Sequence, residues 1–157
     1  MYSVAFICSA NMCRSPMAHA IFFAEVKRRK LPITVLSAGT WDFGEAEAVA
    51  EARLTCDKRQ TPMPKFLSTH VGKIDLSSVT RVFVMEHQHV ATVLAERTVP
   101  PERITLLGQY DPQHRGAEID DPIGQSREAF EACYDRLRDC IVHYLDTTDD
   151  FGQRTIL

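Results

Sequence analysis

The sequence predicts an α/β protein, a doubly wound four-stranded parallel sheet with helices on both faces. Three observations lead there. Short apolar, β-prone runs alternate with helix-like segments in the order β-α-β-α-β-α-β, the rhythm that parallel strands with crossover helices require. A polar segment, Cys8 to Ser15, joins the first run directly to the first helical pattern. The last helical pattern carries one continuous apolar stripe, the signature of a helix laid against a sheet.

Taken in order, Tyr2 to Ile7 is a buried strand. Ser15 is suited to cap the next helix and Pro16 to open it, after which Met17, Ala20, Ile21 and Ala24 keep helical spacing. The basic run Lys27 to Lys30 complements the negative end of that helix, and Pro32 stops it. Ile33 to Leu36 is a second strand, with Ser37-Ala38-Gly39-Thr40 turning out of it. Glu45 to Leu54, rich in Ala and Glu, reads as a helix, whereas Cys56 to Ser78, with Pro62, Pro64 and Gly72, fits neither period. Arg81 to Met85 is a third strand, His87 to Glu96 a helix, and Arg103 to Leu107 a fourth strand. Gly108 to Gln125 is a long loop, of a length that compact domains keep for function. Ser126 caps a final helix in which Phe130, Cys133, Leu137, Cys140, Ile141, Tyr144 and Leu145 form the stripe.

Composition narrows the classes of function. The chain has 157 residues, 45% of them hydrophobic and 25% charged, and a net charge of −3, which suits a single domain covering residues 1–157. Nothing in that charge favours nucleic acid or an anionic membrane. No apolar run reaches the ~18 residues of a membrane span and no secretory signal opens the chain, so a cytoplasmic location is expected. Five cysteines in such a protein point to catalysis or burial rather than a disulfide framework. Cys133 and Cys140, about 10 Å apart by helix rise, belong to the core. No metal or other cofactor is expected, because His87 and His89 stand in a segment without cysteine.

The chemistry concentrates in Cys8-Ser9-Ala10-Asn11-Met12-Cys13-Arg14-Ser15. A tight loop between strand and helix turns successive backbone N–H groups inward, and the helix N-terminus adds its positive end, so residues 9–13 and Ser15 form a phosphate-binding cradle. Arg14 closes it with a bidentate fork. The same field favours the thiolate of Cys8, aimed at phosphorus. Ser15 can donate to that sulfur, and Asn11 tolerates the left-handed backbone such a loop needs. Displacing an alkoxide or phenoxide needs an acid: Asp121, ahead of Pro122 at the same end of the sheet, is the candidate and Asp120 its rival. Water would then release inorganic phosphate, with the aspartate acting as base.

In order and position these residues resemble the low-molecular-weight protein tyrosine phosphatases over nearly the whole chain. The resemblance rests on Cys8 to Ser15 followed by Pro16-Met17-Ala18, on Ser37 to Thr40, on Val84-Met85 followed by His87, and on Asp121-Pro122 before the last helix. It implies Cys8 as nucleophile, Arg14 as phosphate clamp, Asp121 as general acid, and Asn11 and Ser15 as supports of the loop. It further implies that Cys13 is the loop's second cysteine, able to pair with Cys8 under oxidation, and that the substrate is a phosphotyrosine protein. The sequence departs from the family where Ala10 replaces a usual Gly, which would strain the loop if that position needs positive φ. It also has Ile123-Gly124 where tyrosine-specific members carry two tyrosines. Asp-Pro-Ile-Gly-Gln is nearer to bacterial members that include protein arginine phosphatases, yet those carry a loop threonine where this chain has the bulkier Met12. That bulk favours an aryl phosphate, with Trp41 as the wall for its ring. A protein arginine phosphatase, an arsenate reductase and a non-catalytic phosphate-binding module are the alternatives on the same fold. The segment Met85 to Leu94 lacks the further cysteines of a reductase relay.

Overall fold

The protein is described by a computed structural model at residues 2–42, 44–96 and 98–150. Its strands are β1 (Tyr2–Cys8), β2 (Ile33–Gly39), β3 (Arg81–Val84) and β4 (Ile104–Leu106), all parallel in the order β2-β1-β3-β4. Its helices are α1 (Arg14–Arg28), α2 (Ala50–Lys58), α3 (Gln88–Ala95) and α4 (Arg127–Thr147). Among the described residues, no helix is long and apolar enough to cross a membrane. Alternation along β1 splits the core in two. Val4, Phe6 and Cys8 join α1, α2 and α4 on one face, while Ala5 and Ile7 meet Val93 of α3 and the Val71–Val79 region on the other. On the first face Phe6 packs on Phe22 at 5.5 Å and on Phe83 at 5.7 Å, and Phe83 meets the ring of Tyr144 at 4.8 Å.

The strand order determines where a ligand can bind. The chain leaves β1 for β2 on one side and later places β3 on the other, so the carboxyl end of β1 is the crevice where the two halves of the sheet diverge. Cys8 is the last residue of that strand.

Three local expectations are corrected. First, α1 begins at Arg14, so Ser15 and Pro16 lie within its first turn and Cys13 occupies the cap position. Proline is tolerated there because the first-turn N–H groups lack intrahelical partners in any case, and the Ser15 hydroxyl is engaged elsewhere. Second, Ser37, Ala38 and Gly39 extend β2, paired with Phe6, Ile7 and Cys8, instead of turning away. Third, residues 45–49 are not helical. Ala46 N–H donates to Ser68 Oγ at 2.9 Å, Ser68 N–H to the Ala46 carbonyl at 2.7 Å, and Val49 N–H to the Met12 carbonyl at 2.9 Å. Partners distant in sequence thus override the helical propensity of Ala and Glu, and α2 starts at Ala50 and runs on through Cys56. The Ser126 cap stands as expected, its side chain accepting from Ala129 N–H.

The long loop is pinned rather than loose. It opens with a 3₁₀ turn over Leu107–Tyr110. A Cβ on Gly108 would lie 1.7 Å from the Ala117 carbonyl oxygen, so only glycine allows that approach. From α4, Arg136 donates through Nε to Asp111 at 3.0 Å and through Nη1 to the Glu118 carbonyl at 2.7 Å. Ile119 N–H then donates to the Met85 carbonyl at 3.0 Å. The loop thereby delivers residues 119–121 to the carboxyl end of the sheet.

Candidate active site

The loop between β1 and α1 is folded around the sulfur of Cys8. Asn11 N–H donates to Cys8 Sγ at 3.2 Å, and Ser15 Oγ lies 3.0 Å from the same atom. Asn11 Nδ2 donates to Ser15 Oγ at 2.7 Å, and the Ser15 hydrogen has the sulfur at 3.0 Å as its nearer acceptor and the Ala38 carbonyl at 3.4 Å as its farther one. Both contacts therefore converge on this one sulfur. Burial pushes Cys56, Cys133 and Cys140 up to about 12, and Cys13 higher still, Asp121 and Cys133 adding to the effect of burial there. All five cysteines are free, with Cys133 and Cys140 in the core as expected.

The loop's one residue in the left-handed region is Asn11, with φ of 56°. Its Oδ1 accepts from Thr69 N–H at 2.9 Å, so the side chain ties the strained residue to a neighbouring segment. Ala10 is not in that region, so its methyl group introduces no backbone strain. A residue that sequence reasoning undervalues lies beneath them. A Cβ on Gly39 would come 2.6 Å from the Ser9 carbonyl oxygen and 3.0 Å from Asn11 Cβ. The Gly in Ser37-Ala38-Gly39-Thr40 therefore lets the loop rest on the end of β2, where Thr40 N–H and Trp41 N–H continue the pairing to the carbonyls of Cys8 and Ser9.

Arg14 is almost fully buried, with 1% of its surface exposed. Its Nη1 donates to Glu86 Oε2 at 2.9 Å and to the Ile119 carbonyl at 2.7 Å. Its Nη2 has only longer contacts, 3.5 Å to Ser9 Oγ and 3.6 Å to Asp121 Oδ2, and its Nε is buried with no protein partner. One edge of the guanidinium is thus anchored in the protein and the other, Nε with Nη2, is the edge available to two oxygens of an anion. Burial would raise the Glu86 carboxyl, but Arg14 and Gln88 outweigh it and hold it below the usual range, so the anchor is a carboxylate.

The structure also separates the acidic rivals. Asp121 is half-buried with Oδ2 at 3.6 Å from Arg14 Nη2, whereas Asp120 is exposed; both line a cavity of about 250 Å³ between the loop and α4. Asp121 Oδ1 accepts from Ile123 N–H at 3.0 Å, which leaves Oδ2 as the oxygen turned toward the cradle. Met12 lies in the loop, half-buried, and Trp41 follows the end of β2 with its side chain 60% exposed. His87 is exposed at the start of α3, its N–H donating to Glu118. Glu86 and His89, which do meet the loop, escape sequence reasoning. Neither has a motif of its own, and only the pairing of β1 with β3 brings them beneath residues 9–14. Among the described residues, no group of three His, Cys, Asp or Glu side chains converges as a metal site.

The chain is similar to known proteins along most of its length. The family model of the low molecular weight phosphotyrosine protein phosphatases matches residues 3–151. A low molecular weight protein-tyrosine-phosphatase of Streptomyces coelicolor is 32% identical over 145 residues, 84% of each chain. A protein-arginine-phosphatase of Bacillus subtilis is 27% identical, over 88% of this chain and 91% of its own. In fold, the chain is similar to the low molecular weight protein tyrosine phosphatase of T. tengcongensis, with a TM-score of 0.86 and 22% identity over 94% of this chain and all of the other. A sulfur held by two donors, an arginine with one free edge and a match along nearly the whole chain lead to one conclusion: this protein belongs to the low-molecular-weight phosphotyrosine protein phosphatases, the cysteine-based phosphatases that release phosphate from phosphorylated proteins.

Proposed function

We propose that this chain, as one phosphatase domain, hydrolyses phosphotyrosine in proteins, with Cys8 as nucleophile, Arg14 as clamp and Asp121 as general acid. The observation that carries the reading is the pair of donors on Cys8 Sγ, Ser15 Oγ at 3.0 Å and Asn11 N–H at 3.2 Å, in the loop that ends at the buried guanidinium. The sulfur attacks phosphorus as the S–P bond forms and the P–O bond to the phenol oxygen breaks. Nε and Nη2 of Arg14 and the backbone N–H groups of Ser9, Ala10, Met12, Cys13 and Ser15 neutralise the equatorial oxygens, while Asn11 N–H stays on the sulfur. Asp121 Oδ2 gives its proton to the departing oxygen and then takes one from the water that cleaves the S–P bond, releasing inorganic phosphate and the thiolate. Trp41 and Ile123, both exposed apolar residues beside the cradle, supply walls for an aromatic ring. The need for a reduced Cys8, with five free thiols in the chain, suits a reducing compartment such as the cytoplasm.

The test is hydrolysis of 4-nitrophenyl phosphate, with reductant and without metal, by wild type, Cys8→Ser and Asp121→Ala. Turnover should vanish in the first variant, which still binds phosphate, and fall about 10²–10⁴-fold in the second. Unaltered turnover in Cys8→Ser would refute the mechanism. Protein arginine phosphatase activity is the second reading, favoured by the arginine phosphatase relative at 27% identity. Phosphotyrosine and phosphoarginine peptides offered in competition decide between them, and a larger kcat/KM for phosphoarginine would reverse the assignment.

A further inference from the structure

His89 is fully buried, with 1% of its surface exposed, and it sits beneath the phosphate loop rather than in the sheet core. Its two ring nitrogens have separate partners. Glu86 N–H donates to Nδ1 at 3.1 Å, and Nε2 lies 2.9 Å from Ser9 Oγ. A backbone N–H can only donate, so Nδ1 is the unprotonated nitrogen, and the neutral ring carries its hydrogen on Nε2. Ser9 Oγ therefore accepts from His89. It also accepts the longer contact from Arg14 Nη2 at 3.5 Å, the same nitrogen that belongs to the free edge of the guanidinium. Glu86 closes the circuit: its N–H holds His89, and its Oε2 holds Arg14 Nη1 and lies 3.5 Å from His89 Nε2.

From this circuit we infer that His89 is a positioning residue for phosphoryl transfer, which acts through Ser9 to set the Nε and Nη2 edge of Arg14. This deepens the phosphatase reading above and rests on it. Ser9 is the first residue after the sulfur, so a single hydroxyl links the nucleophile's own segment to the clamp. The ring has to be neutral for this geometry, since a second proton would replace the acceptor that holds Glu86 N–H. The surroundings keep it neutral. Burial lowers His89 to about 4 and Arg14 adds to that effect, against the opposing carboxylates of Glu86, Glu118 and Asp121. A protonated ring would also place a second cation beside Arg14 and compete for Glu86.

Two amide replacements separate this role from a purely structural one. In His89→Gln the amide nitrogen can take the place of Nε2 and donate to Ser9. In His89→Asn the amide oxygen takes the place of Nδ1 and accepts from Glu86 N–H, but nothing reaches Ser9. With 4-nitrophenyl phosphate, His89→Asn should lose about 10-fold in kcat with little change in KM, because a misplaced clamp harms the transition state more than binding. His89→Gln should stay within about 3-fold of wild type, and the double variant Ser9→Ala/His89→Asn should be no slower than Ser9→Ala alone. Wild-type kcat in His89→Asn, equal loss in the two amide variants, or multiplying losses in the double variant would each overturn the role. Should His89→Asn fail to fold by thermal denaturation, Ser9→Ala decides, and wild-type kcat there overturns it. A wild type whose turnover does not depend on Cys8 overturns the phosphatase reading and the role with it, whereas thiol-dependent turnover with an unaffected His89→Asn overturns the role alone.

Discussion

The floor and the rim of the cradle are built on opposite principles. On the floor, Ser9, Asn11, Arg14 and Ser15 are all buried; Ser9, Asn11 and Arg14 are tied to other segments through His89, Thr69, Glu86 and the Ile119 carbonyl, and Ser15 is held by Asn11 and Cys8 of its own loop. On the rim, Trp41 and Ile123 are exposed, and the hydrogen bonds of the Asp121 segment run within it, from Ile123 N–H and Gln125 Nε2 back to Asp121. Buried polar groups are costly unless satisfied, so the floor has one arrangement. The rim carries no such constraint. The difference teaches that the fold fixes the loop around Cys8, while the surface around it is left to a few exposed side chains.

The comparison breaks most severely at Arg14. Arg14→Lys keeps a positive charge but cannot hold Glu86 and the Ile119 carbonyl with one edge while presenting two donors on the other. We expect kcat/KM for an aryl phosphate to fall roughly 10³-fold, with weaker inhibition by inorganic phosphate. A loss under about 10-fold would show that charge alone suffices. Next comes Gly39→Ala, where the new methyl group meets the Ser9 carbonyl at 2.6 Å. Overpacking of this kind costs about 1–3 kcal/mol, so the variant should be less stable in urea and should also lose activity, because the displaced atoms belong to the loop.

A smaller effect is expected from pH. Burial lowers both His19 and His89 from 6.5 to about 4, with Arg14 contributing at His89. Between these values the unfolded chain binds protons at both sites and the folded chain does not, so stability is full above about 6.5 and falls as pH drops toward 4. Urea midpoints measured across that window should fall steadily, and His89→Gln should flatten the dependence. A midpoint independent of pH would contradict neutral burial of the two rings. The smallest effect belongs to the rim. Ile123→Tyr adds an aromatic face beside Trp41 and should lower KM for an aryl phosphate a few-fold, equivalent to about 0.5–1.5 kcal/mol, with kcat nearly constant. A change in kcat larger than the change in KM would place residue 123 closer to the reacting atoms than the rim.

Legibility in the sequence follows the same division. The four strands and the cap of α4 are written in local patterns, apolar runs for the one and a serine before a periodic stripe for the other. The loop from Cys8 to Ser15 is legible because its cysteine, arginine and serine fall within one short contiguous segment. Ser15 shows the limit: its residue type suggests a helix cap, yet its hydroxyl faces Cys8, since a buried hydroxyl takes whichever partner the fold places in reach. Residues 45–49 carry a helical composition and are not helical, because Met12 and Ser68 engage their backbone.

By itself, then, the sequence determined the alternation of strands and helices, the position of Cys8 at a strand end, and the pairing of a thiol with an arginine across one loop. These depend on neighbours within a few residues along the chain. Only the tertiary structure decided that Asp121 and not Asp120 faces Arg14, that Gly39 must lack a side chain, and that Glu86 and His89 lie under the loop. Those facts depend on groups distant along the chain, brought together by the parallel pairing of β1 with β2 and β3. Sheet register is a collective result of burying two apolar faces at once, and no short stretch of sequence carries it.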